Sequence, residues 1–311
     1  ASRVVTAAGL KTVADVKGWG LVFAPDDNGI AWLSPRDTTL RSTEIVVRNL
    51  QTGSERRVGD GGLVKATIAF APNGTGILAL ATKAGETKAD VYLVPIGGGT
   101  VTAVAPTDSA KSDFQVVGNR LFFSLGGRGA IPAPGGGRGA GGGGRGGRST
   151  AFGVATLDNG DVREFRGDSW AVSADGSAMA WISRADGKFE LHAWRLNDVT
   201  APLTILSVTD SLAAPSLSPD GSRIAFQRML NHDWDVFVTG LSGNDESRIT
   251  RENAHDVLPR FLGANRLLAM IGEPRHRRSF LYDVATLERT RLFHNNTVRT
   301  IAPEYEWAAS P

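Results

Sequence analysis

One short turn, repeated along the chain, limits the fold more than any other feature. Residues Pro215 to Phe226 read Pro-Ser-Leu-Ser-Pro-Asp-Gly-Ser-Arg-Ile-Ala-Phe. This predicts a β-hairpin. Proline presets φ, aspartate accepts backbone hydrogen bonds and glycine takes the left-handed position. Ile224 and Phe226 then share one face of the following strand, with Arg223 and Ala225 on the other. The pattern recurs at Phe23–Trp32, Phe70–Ala79, Val172–Trp181 and, as worn copies, at Val116–Phe123 and Phe261–Ala269. A final copy begins at Trp307 and breaks off at Pro311.

Most copies lie roughly 44 to 48 residues apart, a spacing typical of propeller blades. Most hairpins are followed by two more strand-like runs, such as Trp234–Thr239 and Glu246–Thr250. Four short strands per repeat predict an all-β propeller of antiparallel blades. A β-sandwich would not need one turn repeated at a fixed period. The blades are expected at about 16–60, 64–105, 112–166, 168–208, 212–251 and 255–294. That makes six complete blades and a partial seventh at 300–311, with a closing strand at 2–6. Because the chain stops inside a turn motif, the natural polypeptide is expected to continue beyond Pro311.

The third repeat is longer because of an insertion at 126–149, nearly all Gly, Arg, Ala and Pro. Such a composition cannot bury enough apolar surface to offset its ordering entropy. It reads as a flexible loop between the second and third strands of its blade. It offers no aromatic residue for stacking on a base, and the formal net charge of the 311-residue chain is only +2. No nucleic-acid partner is therefore expected. No apolar run is long enough for a membrane span. The chain has no cysteine, which excludes disulfides, thiolate metal sites and cysteine nucleophiles. The start, Ala1-Ser2-Arg3, fits either a mature end left after removal of a signal peptide, the reading favoured here, or an arbitrary boundary in a longer sequence.

The fifth and sixth repeats carry a family resemblance. The turn and strand at 215–226 are followed by Asp235-Val236-Phe237-Val238, Arg248-Ile249-Thr250 and Asp256-Val257-Leu258-Pro259. This resembles the TolB-type propeller repeat, closely over about 50 residues and more loosely elsewhere. The third and sixth repeats depart from it, with Gly118-Asn119 and Gly263-Ala264-Asn265 in place of the acidic turn. The resemblance implies one of several settings, among them extracytoplasmic proteins with no known reaction. One is a periplasmic propeller that binds a protein partner, as TolB binds a peptidoglycan-associated lipoprotein. Another is the propeller that gates the hydrolase domain of prolyl-oligopeptidase-like serine peptidases.

The sequence itself carries no catalytic signature. Gly240-Leu241-Ser242-Gly243 fails the spacing of a nucleophile elbow. The five histidines, His192, His232, His255, His276 and His294, include no close pair at ligand spacing. No metal site and no cofactor are expected. In a propeller, the loop between strands two and three and the lead-in to the next blade emerge on the same face. The residues expected there are His232, Asp233, Trp234, His255, Asp256, Arg275, His276, Arg277 and Arg278. The loops between second and third strands sum to a charge of roughly +9, about +4 of it from the insertion. The other reading is that Asp235 and Asp256 bond backbone and Trp234 packs between blades. Tryptophans 19, 32, 170, 181, 194, 234 and 307 are expected to fill blade interfaces rather than a ligand cage.

The expected function is a non-catalytic exported scaffold, periplasmic or extracellular in a bacterium. It would dock a protein partner, acidic or membrane-associated, on its loop face. The alternative is a substrate-gating propeller of a larger prolyl-oligopeptidase-like serine peptidase.

Overall fold

A computed structural model describes residues 18–36, 42–126, 151–197, 201–251, 255–272 and 278–292. All regular structure in them is β, arranged as six four-stranded antiparallel sheets. The fold is a β-propeller. The first sheet holds β1 (Trp19–Phe23), β2 (Gly29–Pro35), β3 (Thr43–Asn49) and β4 (Glu55–Val58). The second holds β5 (Val64–Phe70), β6 (Gly76–Thr82), β7 (Asp90–Pro95) and β8 (Thr102–Ala103). The third holds β9 (Lys111–Val117), β10 (Arg120–Leu125), β11 (Ala151–Thr156) and β12 (Val162–Arg166). The fourth holds β13 (Ser169–Val172), β14 (Ala178–Ala185), β15 (Lys188–Arg195) and β16 (Leu203–Val208). The fifth holds β17 (Leu212–Leu217), β18 (Arg223–Leu230), β19 (Asp233–Gly240) and β20 (Ser247–Arg248). The sixth holds β21 (Asp256–Phe261), β22 (Arg266–Ile271), β23 (Arg278–Asp283) and β24 (Arg289–Arg291). Sheets one to three form one compact unit and sheets four to six another.

The partial seventh blade and the closing strand lie outside the described residues. In sequence, the insertion separates β10 from β11, which pair from Arg120↔Thr156 to Leu125↔Ala151. Its residues 127–150 are also outside the described set.

The repeated turn forms as its residues dictate. Asp220 Oδ1 accepts from the Ser218 hydroxyl at 2.6 Å and the Ser222 amide at 3.2 Å, and Gly221 has φ 65°. The Asp175 turn repeats this, with bonds of 2.6 Å from Ser173 and 2.9 Å from the Ser177 amide. The two turns also touch, because the Asp175 amide donates to the Pro219 carbonyl at 3.1 Å.

The second strands are apolar along their whole length because both of their faces are covered. In β6, Ile77, Ala79 and Ala81 join the core toward sheet one, while Leu78 and Leu80 join the core toward sheet three. In β18, Ile224 and Phe226 pack toward sheet four and Ala225 toward sheet six. Fully burying a side chain such as Phe226 contributes roughly 1.5–3 kcal/mol. A one-residue slip would swap the two faces, so large and small residues would meet the wrong neighbours.

The first strands carry an irregularity. Register shifts occur between Trp19 and Val22, between Ala213 and Ser216, and between Val257 and Arg260. Each contains a left-handed residue: Gly20 at φ 67°, Ala214 at 47° and Leu258 at 56°. The last two each precede a proline, which restricts the residue before it. Such bulges increase local twist and bend the strand.

Candidate functional site

At one end of sheet five, β18 turns into β19 through Asn231 and His232. Leu230 pairs with Asp233, and the two residues between them have φ 49° and 67°. Two consecutive left-handed residues make a tight hairpin turn that favours Asn-Gly or Asp-Gly. Sheet four follows that rule in its equivalent turn. There Ala185 pairs with Lys188 across Asp186 and Gly187, at φ 49° and 77°. Sheet five instead has an exposed histidine where glycine fits best. A non-glycine residue held left-handed costs roughly 1–2 kcal/mol.

The next residues meet the lead-in to sheet six. Asp233 Oδ1 lies 2.8 Å from His255 Nδ1, and the Trp234 amide nitrogen lies 3.3 Å from the same atom. The two contacts need opposite states of that nitrogen. With a proton, Nδ1 donates to Asp233; without one, it accepts from the Trp234 amide. Both side chains keep partial solvent access, 35% for His255 and 27% for Asp233. Trp234 is half-buried.

The structure thus brings His232, Asp233, Trp234 and His255 together at one end of sheets five and six. Arg278 is exposed and opens β23 at the same end, since Asp256, Ile271 and Arg278 share one cross-strand row. Arg275, His276 and Arg277 lie outside the described residues. Asp256 departs from the expectation of a docking residue. It is fully buried, and its side chain presents no surface to a partner. Its position on the first strand between two packed sheets is the cause. Asp235 is buried too, and it accepts from Arg248 Nη2 at 2.6 Å and, at 3.4 Å, from the Thr250 hydroxyl.

Sequence reasoning missed a serine–histidine contact in sheet four. Ser183 Oγ lies 2.8 Å from His192 Nε2, and Thr204 Oγ1 lies 3.0 Å from Nδ1. The register sets this contact: Ser183 pairs with Glu190 and Trp181 with His192, whose rings stack at 4.9 Å. Burial holds the His192 imidazolium below its usual range, with Glu190 opposing. A nucleophile–base–acid relay needs its acid on the nitrogen opposite the nucleophile. Glu190 instead approaches Nε2, at 3.6 Å, the nitrogen that Ser183 already uses. The geometry fits a structural clasp. Among the described residues, no group of three acidic or histidine side chains converges as a metal site would require.

Trp32, Trp181 and Trp194 are buried and Trp19, Trp170 and Trp234 half-buried. That distribution matches a packing role; Trp307 is outside the described residues.

No protein-family model matches the sequence, and no characterised relative matches it in sequence. Solved structures do match. The β-propeller domain of the Trilobed protease from Pyrococcus furiosus is 14% identical, with 91% of this chain and 86% of that one covered and a TM-score of 0.53. A prolyl endopeptidase is 12% identical, with 88% of this chain and 41% of that one covered and a TM-score of 0.55. TolB from Acinetobacter baumannii is 21% identical, with 76% of this chain and 55% of that one covered and a TM-score of 0.41. This chain therefore spans little more than half of that TolB and less than half of the endopeptidase. The six sheets are propeller blades, and the structural neighbours of the chain are TolB and the propeller domains of prolyl-oligopeptidase-like peptidases.

Proposed function

We propose that this propeller is a non-catalytic docking module that holds a protein surface against the loop end of sheets five and six. One observation carries the reading: His232 occupies a left-handed turn position where sheet four has glycine. Strain retained at an exposed position suggests a use for the side chain. Beside it stand a half-buried tryptophan, an Asp233–His255 contact and the exposed Arg278. Aromatic and arginine side chains are the usual anchors of protein interfaces. The partner in this reading is acidic or membrane-associated, and the location is the bacterial periplasm or exterior, as the TolB-type repeat implies.

A second reading has its own support. The structures matched at TM-scores above 0.5 include a protease's propeller and a prolyl endopeptidase that extends well beyond it. In that reading, the docked surface is the hydrolase domain of the same polypeptide, and the propeller gates substrate access.

Two substitutions test docking. His232→Gly relieves turn strain and should raise stability by about 0.5–1 kcal/mol in chemical denaturation. It should also weaken capture of the native partner. Trp234→Ala should weaken capture by about tenfold or more, the size expected of an interface anchor. Capture unchanged in both variants would refute docking at this end. Labelling of the native protein with an active-site serine probe separates the readings. Labelling at a mass well above 32.9 kDa supports the gating propeller.

A further inference from the structure

Neighbouring sheets within each compact unit are joined by a repeated contact. A residue of the third strand lies toward the residue at or next to the start of the first strand of the next sheet, 21 positions further on. Asp90 and Lys111 are such a pair, 21 positions apart. Lys111 Nζ donates to Asp90 Oδ1 at 2.6 Å and to the Ala105 carbonyl at 2.6 Å. Glu44 and Lys65 hold the same places between sheets one and two. There Lys65 Nζ donates to Asp60 at 2.6 Å, while Glu44 accepts from Arg57 at 2.5 Å. Leu191 and Leu212 hold them between sheets four and five, both buried in one apolar core.

The equivalent pair between sheets five and six is Asp235 and Asp256. Backbone bonds confirm the equivalence. Gly126 N donates to Ala110 O just before Lys111, and Gly272 N donates to His255 O just before Asp256. Acid bonds base directly in one joint, acid and base hold the paired positions but bond other groups in a second, and two apolar side chains share a core in a third. Here acid meets acid.

The cation in this joint is already engaged. Arg248 bonds Asp235 at 2.6 Å and the Thr250 carbonyl at 2.9 Å. Asp256 is 0% exposed, and its carboxyl oxygens make no hydrogen bond of regular geometry among the described residues; the polar group that approaches it is the Thr250 hydroxyl, which is already engaged by the Val236 amide and Asp235. The groups facing it are Asp233 and Asp235 from the third strand of sheet five, and Arg248 and Thr250 beyond it. From its own sheet comes Tyr282, whose buried hydroxyl is also without a partner among the described residues. A buried carboxylate facing two others, with its nearest cation shared, is destabilised as an ion.

We propose that this joint is a proton-operated latch: Asp256 is seated as a neutral carboxylic acid, and its ionisation loosens the first strand of sheet six from sheet five. His255 immediately precedes that strand, so the latch also sets the position of one side of the candidate docking end. The inference rests on the joint alone and holds whatever docks there.

Burial, reinforced by Asp235 and Asp233, raises the Asp256 carboxyl from 3.8 to about 7, against Thr250 and Arg248. The folded form therefore binds the proton more tightly than the unfolded form. The stabilisation is complete below the unfolded value, is lost as pH rises from about 4 to about 7, and changes no further above that. Two pH units within that window correspond to about a hundredfold change in an opening equilibrium.

The test is hydrogen exchange of the 256–261 and 266–271 strands as a function of pH, corrected for intrinsic rates. The wild type should open roughly fiftyfold more readily at pH 7 than at pH 5, because the carboxyl is already half ionised at the upper end. Asp256→Asn, a neutral acid mimic, should remove that dependence. A parallel pH profile in Asp256→Asn would overturn the latch. If that variant does not fold, the carboxyl carbon of Asp256 can be titrated by NMR in the wild type. A resonance still at its protonated position at pH 6 supports the latch; ionisation complete by pH 5 overturns it. Exchange at pH 8 is also compared in sodium, potassium and choline chloride. Protection by sodium or potassium over choline would overturn it in favour of a monovalent cation site. Equal protection in all three supports the proton.

Discussion

Asp90→Asn should cost about 3–5 kcal/mol, because it leaves a buried ammonium without its counter-charge. The Lys111 side chain is 0% exposed and its Nζ sits 2.6 Å from Asp90. What remains for it is the Ala105 carbonyl, the Thr107 hydroxyl at 3.1 Å and the face of Phe123 at 4.7 Å. None of these carries a charge. The loss has a ceiling, since the amine can shed its proton instead. From an ordinary value of 10.5, that costs about 5 kcal/mol at pH 7. Burial already holds Lys111 below its ordinary range, with Asp90 opposing. In the variant that opposition is gone, so the unfolded chain binds the proton more tightly. Stability of Asp90→Asn should then climb as pH rises from 7 toward the unfolded value. Adding Lys111→Met should recover most of the loss, since the Leu191–Leu212 joint shows that two apolar side chains also fill this position. Urea denaturation of the single and double variants at pH 7 and near pH 10 measures all of this. A single variant within about 1 kcal/mol of wild type would show that the pair is dispensable.

Gly221→Ala should cost about 2–4 kcal/mol, for two separable reasons. Its φ of 65° is unfavourable for any residue with a Cβ. The new methyl would also stand 2.5 Å from Ser177 Oγ, 2.9 Å from Ala178 Cβ and 3.1 Å from Ser173 Oγ. These belong to the turn and second strand of sheet four, so the clash pushes neighbouring sheets apart. Gly187→Ala is the control. It has a φ of 77° and open space around the position, so it should cost only about 1 kcal/mol. Equal costs in chemical denaturation would show that the turns do not pack as described.

Local structure was readable because each local rule agreed with the next. The Ser-Pro-Asp-Gly turn, the Ile-Ala-Phe strand and the spacing of the repeats each pointed to four-stranded blades. The sheets formed at those places, including worn copies such as Gly118–Asn119, where Gly118 takes φ 53°.

The candidate docking end was only partly readable. His232, Asp233, Trp234 and His255 were placed together by topology, and contacts join Asp233 and Trp234 to His255. Asp256 looked like a member of the same loop cluster because a sequence does not show where a loop becomes a strand. Half-exposed His255 directly precedes fully buried Asp256. Left-handed His232 was hidden for a related reason, since backbone conformation follows from hairpin register and not from residue type.

By itself, the sequence determined the fold class, the blade order and the turn chemistry, because these rest on contacts within a few residues. Only the tertiary structure decided which charges meet. Asp90 with Lys111 and Asp235 with Asp256 have the same spacing and the same strand positions. One is a buried ion pair and the other a buried acid pair, in which Arg248 bonds Asp235 and, among the described residues, no cation bonds Asp256. A charge's energy depends on distance and on exclusion of water, and both are set by sheets packing face to face.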